Sequence, residues 1–115
     1  MAGVLVFAEQ REGKFKKPSL EAVSEGRRLA DKLGGGLTVL LIGEVPEAGA
    51  PDVKRLGADA VLTVRDPRLR LYAPEGYARA AEEAVRRIDP DLFLMAASAM
   101  GKDLAPTVAA LAGSS

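Results

Sequence analysis

Residues 3–43, GVLVFAEQREGKFKKPSLEAVSEGRRLADKLGGGLTVLLIG, hold two short apolar runs separated by a charged loop and one helical pattern. Gly3 to Ala8 (GVLVFA) is apolar at every position, the signature of a strand covered on both faces. After EQREGKFKK, Pro18 and Ser19 open a helix. Leu20, Val23, Ala30 and Leu33 recur on one side of it, with Glu21, Glu25, Arg27, Arg28 and Lys32 on the other. Gly34 to Gly36 stop it, and Leu37 to Gly43 (LTVLLIG) is a second buried strand. Two such strands joined by a helix form a βαβ unit, whose strands are parallel and whose crossover is right-handed.

The pattern repeats along the 115 residues. Pro46, Gly49 and Pro51 punctuate the next segment, in which only Asp52 to Leu56 reads as helical, closed by Gly57 as a left-handed cap. Ala60 to Val64 (AVLTV) is a third strand. A loop with Asp66, Pro67 and Pro74 leads to a helix from Glu75 to Ile88, with Tyr77, Ala81, Ala84, Val85 and Ile88 as its apolar stripe. Pro90 bars its continuation. Leu92 to Ala97 (LFLMAA) is a fourth strand, and Asp103 to Leu111 starts a last helix. The expected architecture is a three-layer α/β sandwich around a parallel sheet. It is Rossmann-like, of the adenine nucleotide alpha hydrolase-like kind, with at least four strands in the order 3-2-1-4.

Composition narrows the function. Sixteen basic residues balance sixteen acidic ones and aromatics make up 4 %, so a nucleic-acid platform of basic stripe and stacking rings is not expected. There is no cysteine and no histidine. Disulfides, thiolate chemistry, the usual zinc sites and imidazole acid/base catalysis are therefore excluded. The apolar runs fall far short of the roughly 20 residues of a membrane helix. Met1 to Gly3 lead straight into a strand with no basic n-region, so no signal peptide and no membrane insertion are expected. The location expected is a bacterial cytoplasm. Asparagine is absent and Gln10 is the one glutamine, a bias that fits a thermophilic source.

The stretch AASAMGKDLAPTVAALAGSS, residues 96–115, looks at first like a phosphate loop. A Walker A loop needs two glycines around four residues, then Lys and a hydroxyl. Here Ala96 stands in place of the first glycine and Asp103 in place of the hydroxyl. Asp103 complements the positive helix end and would repel a phosphate. Gly34 to Gly36 follow a helix and precede a strand, the reverse of the dinucleotide fingerprint, and read as a cap.

In an open α/β sheet ligands bind where the winding reverses. Here that crevice lies between the ends of the first and fourth strands, with Glu9 and Gln10 on one side and Ser98 to Lys102 on the other. Its candidate binding residues are Glu9, Ser98, Gly101 and Lys102: Gly101 allows close approach and Lys102 brings charge, with Ser114 and Ser115 as phosphate hydroxyls. The corresponding alternative function is a free-standing AMP- or ATP-binding regulator similar to universal stress proteins, although their spaced glycines are not matched. Other charged groups form no constellation. Glu82 and Glu83 are adjacent on a helix and point about 100° apart. Arg65, Asp66, Arg68 and Arg70 could grip an acidic partner but read first as a solvated loop, and Tyr72 and Tyr77 read as packing residues. No catalytic residue and no metal site is expected.

VLVFAEQREGKFKKPSLEAVSEGRRLADKLGG, LGADAVLTVRDPRL, YAPEGYARAAEEAV, PDLFLMAASAMGKDLAP and VAAL occur in this order. Taken together, the chain resembles the N-terminal domain of the alpha subunit of electron transfer flavoprotein. The resemblance implies an electron-carrying heterodimer with a beta subunit, taking electrons from primary dehydrogenases, such as those acting on acyl-CoA, and passing them to a quinone reductase. It implies FAD held mainly by a C-terminal domain that these 115 residues do not include, hence no cofactor on this segment and no redox activity of its own. Thr107 stands where the family usually has Arg, which puts any role of that Arg in doubt. A sheet ending at this point exposes an edge and an apolar helix face, so the segment alone is expected to self-associate.

Overall fold

A computed structural model describes residues 3–11, 14–43, 46–66 and 74–96. In chain order it contains β1 (Gly3–Phe7), β2 (Gln10–Arg11), β3 (Lys14–Phe15), α1 (Lys17–Leu33), β4 (Gly36–Gly43), a 3-10 turn (Pro46–Gly49), α2 (Ala50–Arg55), β5 (Ala60–Arg65), α3 (Pro74–Ile88) and β6 (Leu92–Met95). Four parallel strands form the sheet β5-β4-β1-β6. Counted among themselves, these are the third, second, first and fourth, as the sequence indicates. The chain winds outward from β1 through β4 to β5, then crosses back over the sheet to lay β6 on the other side of β1.

Each face of the sheet buries its own half of the apolar residues. Leu5 and Phe7 of β1 and Leu40 and Ile42 of β4 point to one side, where they meet Tyr77, Ala78, Ala81 and Ala84 of α3. Their alternates Val4, Val6, Val39 and Leu41 point to the other, against Val23 and Ala30 of α1 and Val53 of α2. Two buried faces leave no charged position in a central strand, which is why GVLVF reads as a continuous apolar run. Burying one Leu or Ile side chain contributes about 1.5–3 kcal/mol, whereas an exposed ion pair contributes about 0–1 kcal/mol. The two cores, and not the many surface ion pairs, therefore set the architecture.

Both early helices end on glycine. Gly34 takes φ 69°, ψ 23°, and the amides of Gly34 and Gly35 donate to the carbonyls of Asp31 and Ala30. Gly57 (φ 109°) repeats this after α2, with its own amide on Lys54 and that of Ala58 on Val53. These are paired 5→2 and 6→1 closures that satisfy carbonyls at a helix end. Gly26 has a different task. A Cβ there would lie 2.5 Å from Val6 Cγ2 and 3.0 Å from Leu37 Cδ1, so the bare backbone lets α1 lie directly on β1.

The loop after the first strand contains an antiparallel pair absent from the expected element list, β2 with β3, placing Gln10 opposite Phe15 and Arg11 opposite Lys14. The second helix begins at Ala50 and not Asp52, because Pro51 is well tolerated in a first turn. The fourth strand ends at Met95, two residues earlier than expected. The expected last helix, Asp103 to Leu111, lies outside the described residues.

Candidate functional site at the carboxyl end of the sheet

The winding reversal puts the switch point between β1 and β6. Ala8 prolongs β1 by donating its amide to the Leu40 carbonyl at 3.1 Å, and Glu9 follows directly. The Glu9 side chain is only 13 % exposed, and Lys16 Nζ stands 3.8 Å from its Oε2. Of the crevice candidates, this is the one within the described residues; Ser98, Gly101 and Lys102, with Asp103, Ser114 and Ser115, lie outside them.

Gln10 turns toward β4 instead of toward the gap beside β6. Its Nε2 donates to the Ile42 carbonyl at 3.1 Å. Phe15, across the hairpin, sits against Gly49, where a Cβ would come within 2.5 and 2.8 Å of ring atoms Cζ and Cε2. Gln10 and Phe15 thus fasten the hairpin over the carboxyl end of β4. Phe15 was not among the residues singled out by sequence reasoning. The available signal was the spacing of Gln10-Arg11 and Lys14-Phe15, separated by two residues of which the second is a glycine.

Several of the remaining charged groups pair with one another. Arg86 Nε donates to Glu82 at 2.6 Å, and Arg65 pairs with Glu47 at 3.3 Å; Arg28 pairs with Glu25 and Arg55 with Asp52. Glu83 is exposed beside Glu82 without sharing its partner. The Asp66 amide donates to the Gly43 carbonyl at 3.1 Å, and Arg68 and Arg70 lie outside the described residues. Tyr77 packs edge-on against Phe7, with ring centroids 6.2 Å apart at 80°, which confirms it as a packing residue; Tyr72 is outside the described residues.

At the amino end of the sheet, Arg27 of α1 ties three elements together. Its Nη1 donates to the Gly57 carbonyl at 2.8 Å and to Asp59 Oδ2 at 3.0 Å, and its Nη2 to Asp31 at 2.7 Å. Asp59 Oδ2 also accepts the Leu37 amide at 2.8 Å. That amide, and next the Arg27 guanidinium, hold the Asp59 carboxyl below its ordinary range. Asp59 in turn raises the Arg27 guanidinium above its already high value. With two carboxylates on it, Arg27 is a clamp and not an anion receptor.

A groove of about 290 Å³ runs between α3 and β5, floored by Leu62, Val64, Ala80 and Ala84 with Arg65, Glu83 and Arg87 on its rim. Among the described residues there is no cluster of three acids that could hold a metal, and no helix long and apolar enough to cross a membrane.

These features define a doubly wound α/β domain with helices packed on both faces of a parallel sheet. Comparison with known proteins gives the class a family. The electron transfer flavoprotein domain matches residues 4–115. The chain is 44 % identical over 108 residues to protein FixB of Clostridium saccharobutylicum, covering 94 % of this chain and 32 % of that one. It is 41 % identical over 106 residues to the electron transfer flavoprotein subunit alpha of Thermoanaerobacterium thermosaccharolyticum (92 % and 32 %). Against the acryloyl-CoA reductase electron transfer subunit beta of Anaerotignum propionicum it is 38 % identical over 107 residues (93 % and 29 %). The chain belongs to the electron transfer flavoprotein family. It spans about a third of the length of the curated relatives it matches.

Proposed function

We propose that residues 1–115 are the N-terminal α/β domain of an alpha-type electron transfer flavoprotein subunit. In this reading the domain is a scaffold for assembly with a beta-type subunit, and the flavin is held by a further domain of the alpha chain. The observation that carries it is the family match over residues 4–115 together with alpha-subunit and FixB relatives at 36–44 % identity. The complete heterodimer would take electrons from primary dehydrogenases, among them acyl-CoA dehydrogenases, and deliver them to a quinone reductase from a cytoplasmic location. FAD would carry the redox chemistry, the protein supplying position and electrostatics.

The described residues do not fit a flavin dinucleotide. The carboxyl end of β1 presents Glu9, whose charge opposes a pyrophosphate, and the Gln10 amide is already committed to Ile42. The run Gly34 to Gly36 closes a helix instead of opening one, so it offers no amides to phosphate at a helix start. The assembly role is supported by β6, the outer strand of the sheet among the described residues, reading LFLM without charge or proline. Exposed edges of natural sheets are ordinarily protected by such residues. Leu92 on it and Leu33 of α1 remain 38 % and 46 % exposed.

The test is a visible absorption spectrum of the purified 115-residue chain, before and after addition of FAD and removal of the excess, beside the full-length alpha chain with its beta-type partner. The short chain is expected to be colourless and the complex yellow. A stoichiometric flavin spectrum on the short chain would overturn the placement of the cofactor, and a colourless complex would overturn the function.

A further inference from the structure

The edge of the sheet opposite β6 is bare. β5 reads AVLTVR and, among the described residues, pairs with β4 alone. The Asp66 amide donates to the Gly43 carbonyl, and Gly43 stands in register with Arg65. Backbone groups alternate between the two sides of a strand, so the amides and carbonyls of Val61, Thr63 and Arg65 point away from β4. Natural edges are ordinarily blunted by proline, bulges or charge. β5 has no proline and an unbroken register, and its one charge, Arg65, is drawn to Glu47 at 3.3 Å. The groove beside this edge is open as well. Ala80 and Ala84 of α3 are too short to fill it, so Leu62 and Val64 stay half-buried, whereas Leu40 and Ile42, their partners in register on β4, are buried. Glu83 and Arg87 lie on the same stripe of α3 as those alanines, one turn apart. At the same spacing Arg86 donates to Glu82 at 2.6 Å, yet neither Glu83 nor Arg87 has an ion-pair partner among the described residues.

A two-fold axis can make such a surface its own complement, because each residue then meets a different residue of an identical patch, and the reverse contact repeats across the axis. We propose that β5 and its groove dock on the same edge of a second copy of this chain, the two β5 strands running antiparallel about an axis at Thr63 and joining two sheets into one. In that register Thr63 faces its own counterpart, Val61 faces Arg65, and Leu62 faces Val64 on the groove side. No like charges oppose each other, and threonine and aliphatic pairs of this kind stabilise facing strands. The α3 helices also run antiparallel across the axis, which turns Glu83 of each copy toward Arg87 of the other. Leu62 and Val64 gain the aliphatic cover that the alanines of α3 do not supply. A second copy fits better than an unrelated partner, since every open group on this edge is answered by another group of the same edge. The inference goes beyond the proposed function and does not depend on where the flavin is held.

The test measures mass by light scattering over a concentration series, for the full-length alpha-type chain alone and with its beta-type partner. Wild type is compared with E83R, R87E, E83R/R87E and T63P. The Thr63 amide points outward, so proline there removes a donor from the free edge and none from the ladder with β4. The wild type is expected to double its mass as concentration rises. E83R and R87E each set like charges across the axis and should weaken self-association about tenfold. E83R/R87E restores opposite charges and should return to within about threefold of the wild type, while T63P should not double. Circular dichroism melts identify a variant that has lost its fold, and the exposed charge variants keep the test decisive if T63P is one. A wild type that never doubles overturns the proposal, as does a doubling that all four variants leave unchanged. Single variants that weaken self-association without rescue by E83R/R87E overturn the two-fold pairing. Loss of the beta-type chain from E83R, R87E or T63P, with self-association unchanged, also overturns it and assigns the edge to that chain.

Discussion

Replacing Gly26 by alanine sets two well-measured effects against each other. In an exposed helix the change stabilises by about 0.8–1 kcal/mol, because alanine gives up less backbone freedom on folding. Here the new Cβ would sit 2.5 Å from Val6 Cγ2, 3.0 Å from Leu37 Cδ1 and 3.6 Å from Val4 Cγ1, where carbon atoms prefer about 3.5–4 Å. Val6 is fully buried and β-branched, so it has no free rotamer into which to retreat. The helix must lift by about 1 Å, disturbing the contacts of Val23 and Ala30. Overpacking of this kind costs about 1–3 kcal/mol, and with two atoms crowded at once, one of them as close as 2.5 Å, the upper half of that range applies. The net expectation is a loss of about 1–2 kcal/mol, a fall in Tm of about 4–8 °C for a domain of this size. Urea denaturation followed by circular dichroism should show a lower midpoint at unchanged slope. Val6→Ala in the same background should recover at least about 1 kcal/mol relative to additivity. A rise in stability on Gly26→Ala would refute the close seating of α1 on β1.

Three further substitutions probe other contacts. Asp59 is held below its ordinary value of 3.8, so its contribution is fully present above that pH and is lost as pH falls through the lower folded value. Asp59→Asn should therefore lower stability at neutral pH and bring the variant and wild-type curves together in acid; parallel curves down to pH 2 would contradict this. Gly49→Ala, at an ordinary φ of −89°, crowds the Phe15 ring while touching Leu41 Cδ1 at an ordinary 3.7 Å, so it should cost about 1–2 kcal/mol by overpacking and speed tryptic cleavage after Lys14 and Lys16. Asp89 holds φ 49° between α3 and Pro90. Asp89→Gly should raise the thermal midpoint by about 2 °C, and a drop would mean the aspartate side chain is stabilising the turn.

Sequence reading recovers the sheet because each of its strands is an apolar run flanked by glycine, proline or charge, and because Gly34 and Gly57 announce their helix ends. The order of strands follows from crossover handedness and from the central place that the first strand usually takes in such sheets. The hairpin escapes because strands of two residues are too short for any periodicity, and its decisive contact joins Phe15 to Gly49, 34 residues away. The crevice is half legible. Glu9 is where the pattern puts it, but nothing in the local sequence says that Gln10 will bond to β4 instead of facing the gap. Arg27 likewise reads as one more charge on a polar helix face. Its tie to Gly57 and Asp59 exists only after β4 and β5 lie side by side.

The central position of β1 governs the order in which the domain can assemble. Val4 to Phe7 pair on one side with Leu37 to Leu40 and on the other with Leu92 to Met95. During synthesis the first partner arrives within about one helical crossover, while the second must wait for nearly the whole described chain. A newly made polypeptide can build β1, β4 and β5 as a half-sheet with α1 and α2 on one face, leaving Leu5, Phe7, Leu40 and Ile42 bare on the other until α3 is made. Closure of that bare face by a single late crossover makes it the slow, long-range step of folding. It is also the surface through which an incomplete chain would first stick to its neighbours on the polysome.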